Sequence, residues 1–283
     1  MSLRVAFLFA SCALAGAAQA AEVPLLFDFG DGFESPASSI YRLGQLQLRD
    51  PHVFVPVQVA GSTLCTDATD VPSLGLNAQI AANLAADSNA DGLLDTSPLL
   101  LFRPLDNGAR PGVTTSTSGS CTVATPRICS PDTGPAASVR RHAVFDLSAT
   151  PAQHCLEPLA GTTSSWGSGA PVPQPGGICY VSSAADIVLD AGAVDIPLLG
   201  TAFAAPLPAA TGSTGGGLMR GFLRASDAAT IMVDINGSSR SLASLLPGGA
   251  GSCKADVAGG VDTRNGESGW WFYFEYRQDA VSL

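Results

Sequence analysis

Apolar residues along this chain recur mostly at every second position or in short runs, the signature of strands rather than helices. The cleanest alternation is Val53, Val55, Val57 and Val59, preceded by a second alternating stretch at 41–48, with Asp50-Pro51 as the turn between them. Further short strands are predicted at 143–147, 178–182, 187–190, 193–198, 218–223 and 230–235, the last turning at Asn236-Gly237, a strong hairpin pair. The final strand, 270–276, is the most aromatic segment. Its alternation sets Trp270, Phe272, Phe274 and Tyr276 on one face and Trp271, Tyr273, Glu275 and Arg277 on the other.

Helical spacing is scarce. It is clearest at 77–86, where Ile80 and Leu84 share a face and Ser73 or Asn77 is placed to cap the start. An apolar run at 98–102, ended by Arg103-Pro104, predicts a buried strand soon after. Residues 108–120, 161–177 and 206–217 are rich in Gly, Pro, Ser and Thr and predict long loops. Together these signals predict a mainly β fold: an antiparallel β-sandwich or open barrel with one short helix and long disulfide-stapled loops.

The first twenty residues read as an export signal. Arg4 supplies a positive start, a short apolar core follows, and Ala18-Gln19-Ala20 has the small-residue pattern of a cleavage site. The core is too short to cross a bilayer as a stable helix. Phe9-Ala10-Ser11-Cys12 loosely resembles a lipoprotein signal, but cleavage after Ala20 fits better. The expectation is a cleaved signal peptide over 1–20, then a single β-rich secreted domain over 21–283, with two subdomains divided near 108–177 as the variant.

Removing that segment leaves Cys65, Cys121, Cys129, Cys155, Cys179 and Cys253, an even count that suits three disulfides in an oxidising compartment. Six cysteines allow fifteen pairings. Proximity suggests Cys121 with Cys129 and Cys155 with Cys179, which leaves Cys65 with Cys253. There is no C-x-x-C pair to support a zinc or redox site. After cleavage the 24 acids face 13 bases, a net charge of −11, and Lys254 is the one lysine. An acidic chain without a basic face excludes nucleic acid as a natural partner.

One stretch has a spacing with a specific chemical reason: Asp87, Asn89, Asp91, Gly92, Leu93 and Asp95. Calcium takes six to eight oxygen ligands, and oxygens at alternate positions with a glycine at the sixth wrap a short loop around it. The stretch resembles the calcium loops of EF-hands and, more closely, of dockerins. The resemblance covers only 87–95. It implies side-chain oxygens from Asp87, Asn89 and Asp91, a backbone carbonyl from Leu93, and a direct or water-mediated contact from Asp95, holding a structural Ca²⁺. Where the EF-hand pattern has a bidentate glutamate, this chain has Pro98, so affinity should fall toward the weak extracellular range, roughly 10⁻⁴–10⁻³ M.

Other chemistry finds less support. No G-x-S-x-G, S-x-x-K or H-E-x-x-H occurs, and His52, His142 and His154 stand far apart. Asp28, Asp31 and Glu34 form a Gly-rich acidic turn that lacks alternate-position oxygens. Trp271 and Tyr273 are the candidates for stacking on a sugar, against the plainer reading of a core strand. The chain as a whole resembles exported bacterial proteins with an Ala/Gly-rich background. The function expected is a secreted or periplasmic, disulfide- and calcium-stabilised binding or adhesion module, a glycan being one candidate ligand, with no transmembrane segment in the mature chain. The alternatives are an extracellular glycan hydrolase using a carboxylate pair, and a structural cell-envelope protein.

Overall fold

The computed structural model describes residues 39–103, 113–132, 140–142, 145–148, 156, 159, 179–191, 194–206, 216–235, 237–255 and 260–283. The export signal, the acidic turn at 28–34, His154, Cys155 and the loop at 161–177 lie outside the described residues. Residues 34–283 gather into one unit.

The elements, in chain order, begin with β1 (Ser39–Asp50), β2 (Phe54–Val59), β3 (Ser62–Asp67), α1 (Leu76–Leu84), β4 (Leu93–Leu94) and β5 (Leu99–Arg103). There follow β6 (Val113–Thr117), β7 (Gly119–Thr122), β8 (Cys129–Pro131), β9 (Arg140–His142), β10 (Phe145–Ser148), β11 (Cys179–Ser182), β12 (Ala185–Asp190) and β13 (Asp195–Pro206). The last are β14 (Gly216–Arg224), α2 (Ala225–Thr230), β15 (Met232–Ile235), β16 (Ser238–Ser241), a 3₁₀ turn (Leu242–Leu245), β17 (Asp262–Arg264) and β18 (Glu267–Val281).

The main sheet is antiparallel and runs β10-β11-β13-β14-β18-β1-β5-β6-β9, curled into a half-barrel. The strands at its centre, β1 and β18, come from opposite ends of the described chain and pair from Ile40–Val281 to Asp50–Tyr273. β12 folds back on β13, and β17 on β18. Side hairpins β2–β3 and β15–β16 and the small sheet β4-β7-β8 complete the β structure.

Alternation along the central strands decides the packing. Leu43, Leu46 and Leu48 of β1 join Trp270, Phe272, Phe274 and Tyr276 of β18 in the main core. Onto this face pack Ile80 and Leu84 of α1, Ile187 and Leu189 of β12, and Val233 and Ile235 of β15. The opposite face carries two smaller clusters. Ile40, Leu99 and Leu101 pack with Leu94, Cys121 and Cys129, and Tyr273 packs with Leu156, Ala202, Ala204 and Leu218. A sheet buried on both faces needs polar ends satisfied: Trp270 Nε1 donates to the carbonyls of Pro247 (2.9 Å) and Gly260 (2.7 Å), and the Tyr276 hydroxyl donates to that of Ala204 (3.1 Å).

Three sequence expectations change. Residues 108–120 were expected to be loop, yet β6 lies in the main sheet and β7 follows it, because Thr is β-branched and pairs well on a pleated surface. The alternation of Val53, Val55, Val57 and Val59 is buried only at its base: Val53 is 0% exposed and Val59 48%, since β2–β3 leaves the body as a separate hairpin. The helix begins with Gly75 at its cap and no side-chain cap. Asn77 sits in its first turn and mimics a strand neighbour of Leu48, accepting its N–H (2.7 Å) and donating to its carbonyl (2.9 Å).

Two disulfides are present among the described residues, Cys65–Cys253 and Cys121–Cys129. The first joins the β2–β3 hairpin to the segment after the 3₁₀ turn, 188 residues along, and the second closes the turn between β7 and β8. The pairing of Cys155 with Cys179 lies outside the described residues.

Candidate functional site

The acidic loop leaves α1 and returns through β4. Asp87 accepts the N–H groups of Asp91 (Oδ1, 3.1 Å) and Gly92 (Oδ2, 3.0 Å). Asn89 Oδ1 accepts that of Asp91 (3.1 Å), Asp91 Oδ1 that of Leu93 (2.8 Å), and Asp95 that of Ser88 (3.0 Å to Oδ2). These bonds need the chain to reverse within five residues, and Gly92 turns at φ +85°, a conformation that glycine adopts without steric cost. Ala90 also lies in the left-handed region, at φ +57°. Leu93 donates its N–H to Asp91, away from its ladder partner Thr122.

Two neighbours hold this loop in place. Leu94 pairs with Cys121, one half of the disulfide closing the β7–β8 turn, and Gly92 accepts the N–H of Val123 (2.9 Å). Arg42 of β1, 2% exposed, donates to the carbonyl of Leu84 at the end of α1, to that of Thr96 (3.2 Å) and to Ser97 Oγ (3.3 Å). One guanidinium therefore ties the segments before and after the loop together. Burial, and secondarily the charge of Arg127, lower the Arg42 pKa to about 10 against the opposing pull of Asp279, so it stays cationic at neutral pH. Pro98, where an EF-hand has its glutamate, is instead part of the sheet margin, its carbonyl accepting the N–H of Leu43 (2.9 Å).

The donor set suits a hard cation in kind: carboxylates, one amide oxygen and a carbonyl. In arrangement it is incomplete. Among the described residues, no group of three or more His, Cys, Asp or Glu side chains is gathered so that it could hold a metal ion. The carboxylates of Asp87, Asp91 and Asp95 bond the loop's own N–H groups, and no ion pair among the described residues involves them.

The aromatic face of β18 does not form a sugar platform. Tyr273 is fully buried, with its hydroxyl accepting the N–H of Leu159 (2.9 Å), and leaves no ring face exposed. Trp271 is half-buried, edge-on to Phe222 at 5.4 Å, with the Arg220 guanidinium over its ring at 5.8 Å. These residues act as packing, because the sheet is covered on this side as well.

The His52 ring Nδ1 meets the Asp67 carboxylate in a hydrogen bond at the base of the β2–β3 hairpin. Desolvation works against the Asp67 carboxylate, but hydrogen bonds from His52 and Thr69 outweigh it and hold its pKa below the usual range.

Sequence patterns gave no sign of an apolar cleft of ≈ 100 Å³ between α1 and β15. Phe272, Phe274 and Leu48 form its floor, and Ile80, Ile196 and Val233 form its walls. It takes residues from six separate segments, and the only local signal is the outward alternation of Met232 and Asp234 on β15. Asp234 is its one carboxylate, so the pair that glycoside hydrolysis requires is not assembled there.

Among the described residues, no helix is long and apolar enough to cross a membrane. Comparison with known proteins returns no match to any family model, curated sequence or solved structure.

Proposed function

We propose that this protein is a secreted or periplasmic binding module, stabilised by its disulfides and by one Ca²⁺ at the 87–95 loop. The observation that carries the reading is the loop's backbone. The Asp91 and Gly92 N–H groups close on Asp87, and Gly92 supplies the positive φ at the sixth position. A calcium-wrapping loop uses this sharp turn at its glycine. Asp87, Asn89, Asp91 and the Leu93 carbonyl would hold the ion, with Asp95 directly or through water. Binding would require carboxylate oxygens to turn inward from their present N–H partners. Disulfides fit an oxidising compartment, which supports the export reading of residues 1–20.

The ion's role would be structural. It would fix the junction between α1 and β4 and stabilise the fold by binding only the folded chain. A ¹H–¹⁵N NMR titration with Ca²⁺ tests the site. Saturating shifts of the Asp91 and Gly92 amides, half-complete at roughly 0.1–1 mM, are expected. Unchanged amides across 87–95 at about ten times that range would remove calcium from the reading.

A further inference from the structure

We infer that the cleft between α1 and β15 binds a small molecule with a compact, branched apolar body and a cationic ammonium head. This rests on the reading of the protein as a binding module and not on the calcium ion. The body follows from size and lining: ≈ 100 Å³ walled by Ile80, Ile196 and Val233 over Phe272 and Phe274 matches a side-chain-sized hydrocarbon, smaller than a typical drug pocket.

The head follows from the rim. Asn83 donates its amide N–H to the Ala191 carbonyl (3.2 Å), and Gln79 donates to that of Leu74 (3.1 Å). Each thus keeps its carbonyl oxygen, and one of its two N–H groups, without a hydrogen bond among the described residues. Asp234, the one charged residue lining the cleft, has no ion-pair partner among them either. The amides can therefore serve as acceptor or donor, and the one charge at the rim, that of Asp234, sets the preference for whatever sits in the apolar slot. A carboxylate head would meet repulsion, an alcohol would satisfy one acceptor, and an ammonium satisfies acceptor and charge together.

The test uses three probes with a common isobutyl end: 3-methylbutylamine, 3-methyl-1-butanol and 4-methylpentanoate. They are titrated at neutral pH into the oxidised protein and followed by methyl NMR, with and without Ca²⁺. Saturable shifts at Ile80, Ile196 and Val233 are expected in the order amine, alcohol, carboxylate. Asp234→Asn, an exposed change that leaves the core untouched, is expected to weaken the amine roughly two- to fivefold and leave the alcohol unchanged. No saturable shift at these methyls, or a carboxylate binding as tightly as the amine, would overturn the assignment. So would an Asp234→Asn variant with undiminished preference for the amine. Failure here with a persisting calcium response removes the ligand class while leaving the calcium reading intact.

Discussion

At the residue scale, the buried Arg42 side chain ties the end of α1 to the segment that follows the acidic loop. Arg42 stands on β1 between Tyr41 and Leu43, which face the main core. It is buried because the end of α1 and the segment after the acidic loop converge on it with carbonyls. Replacing it with methionine keeps the volume but strips donors from two buried carbonyls and from Ser97 Oγ. The expected cost is about 2–5 kcal/mol, read as a fall in the urea midpoint. Arg49→Met, which breaks an ion pair with Glu275 whose partners are each about a third exposed, should cost at most about 1 kcal/mol. Equal losses from the two substitutions would show that the buried bonds of Arg42 contribute no more than an exposed ion pair does.

Asp67 supplies a pH-dependent contribution with a definite sign. Its pKa is held down in the folded state, so its stabilisation is present above the ordinary carboxylate value of about 4 and lost as pH falls through the lower folded value. Asp67→Asn should therefore be less stable than the parent at neutral pH, with the difference closing in acid. Denaturant midpoints from pH 7 down to about pH 2 measure this. A difference constant with pH would contradict the His52–Asp67 account.

At the scale of elements, the strands of the central sheet were legible because burial on one face writes a period of two into the sequence. The 270–276 alternation sorts onto the two faces as expected, and the element itself extends to Glu267–Val281. The strand at 98–102 and the helix carrying Ile80 and Leu84 were legible for the same reason. β3, β6 and β7 were not, since Ser- and Thr-rich strands carry no apolar period and resemble loops in composition. The cleft was invisible for a different reason: its lining residues are adjacent only after folding. Proximity in sequence suggested the Cys121–Cys129 bridge, and elimination suggested the Cys65–Cys253 one. The longer of these links a hairpin with exposed Val57, Val59 and Leu64 to the rest of the molecule. Removing it as Cys65→Ala/Cys253→Ala should cost on the order of 2–5 kcal/mol and release the β2–β3 amides to hydrogen exchange first. Unchanged exchange in that hairpin would show that other contacts hold it.

At the scale of the whole molecule, a curled sheet is covered on one face by α1, β12 and β15, and on the other by small clusters. The 87–95 loop passes between α1, in the main core, and Leu94, in a cluster on the other face. An ion there would join the coverings of the two faces, which is why its binding should register in global stability. The most direct measurement is thermal unfolding of the oxidised protein in EDTA and then in Ca²⁺, with Mg²⁺ as the control. At a free concentration one hundred times the dissociation constant, the linkage amounts to about 2.7 kcal/mol, enough to raise the midpoint by several degrees. The expected result is a calcium-specific rise that disappears in an Asp87→Ala/Asp91→Ala variant. No rise at about 10 mM Ca²⁺, or an equal rise in that variant, would contradict the calcium-stabilised account.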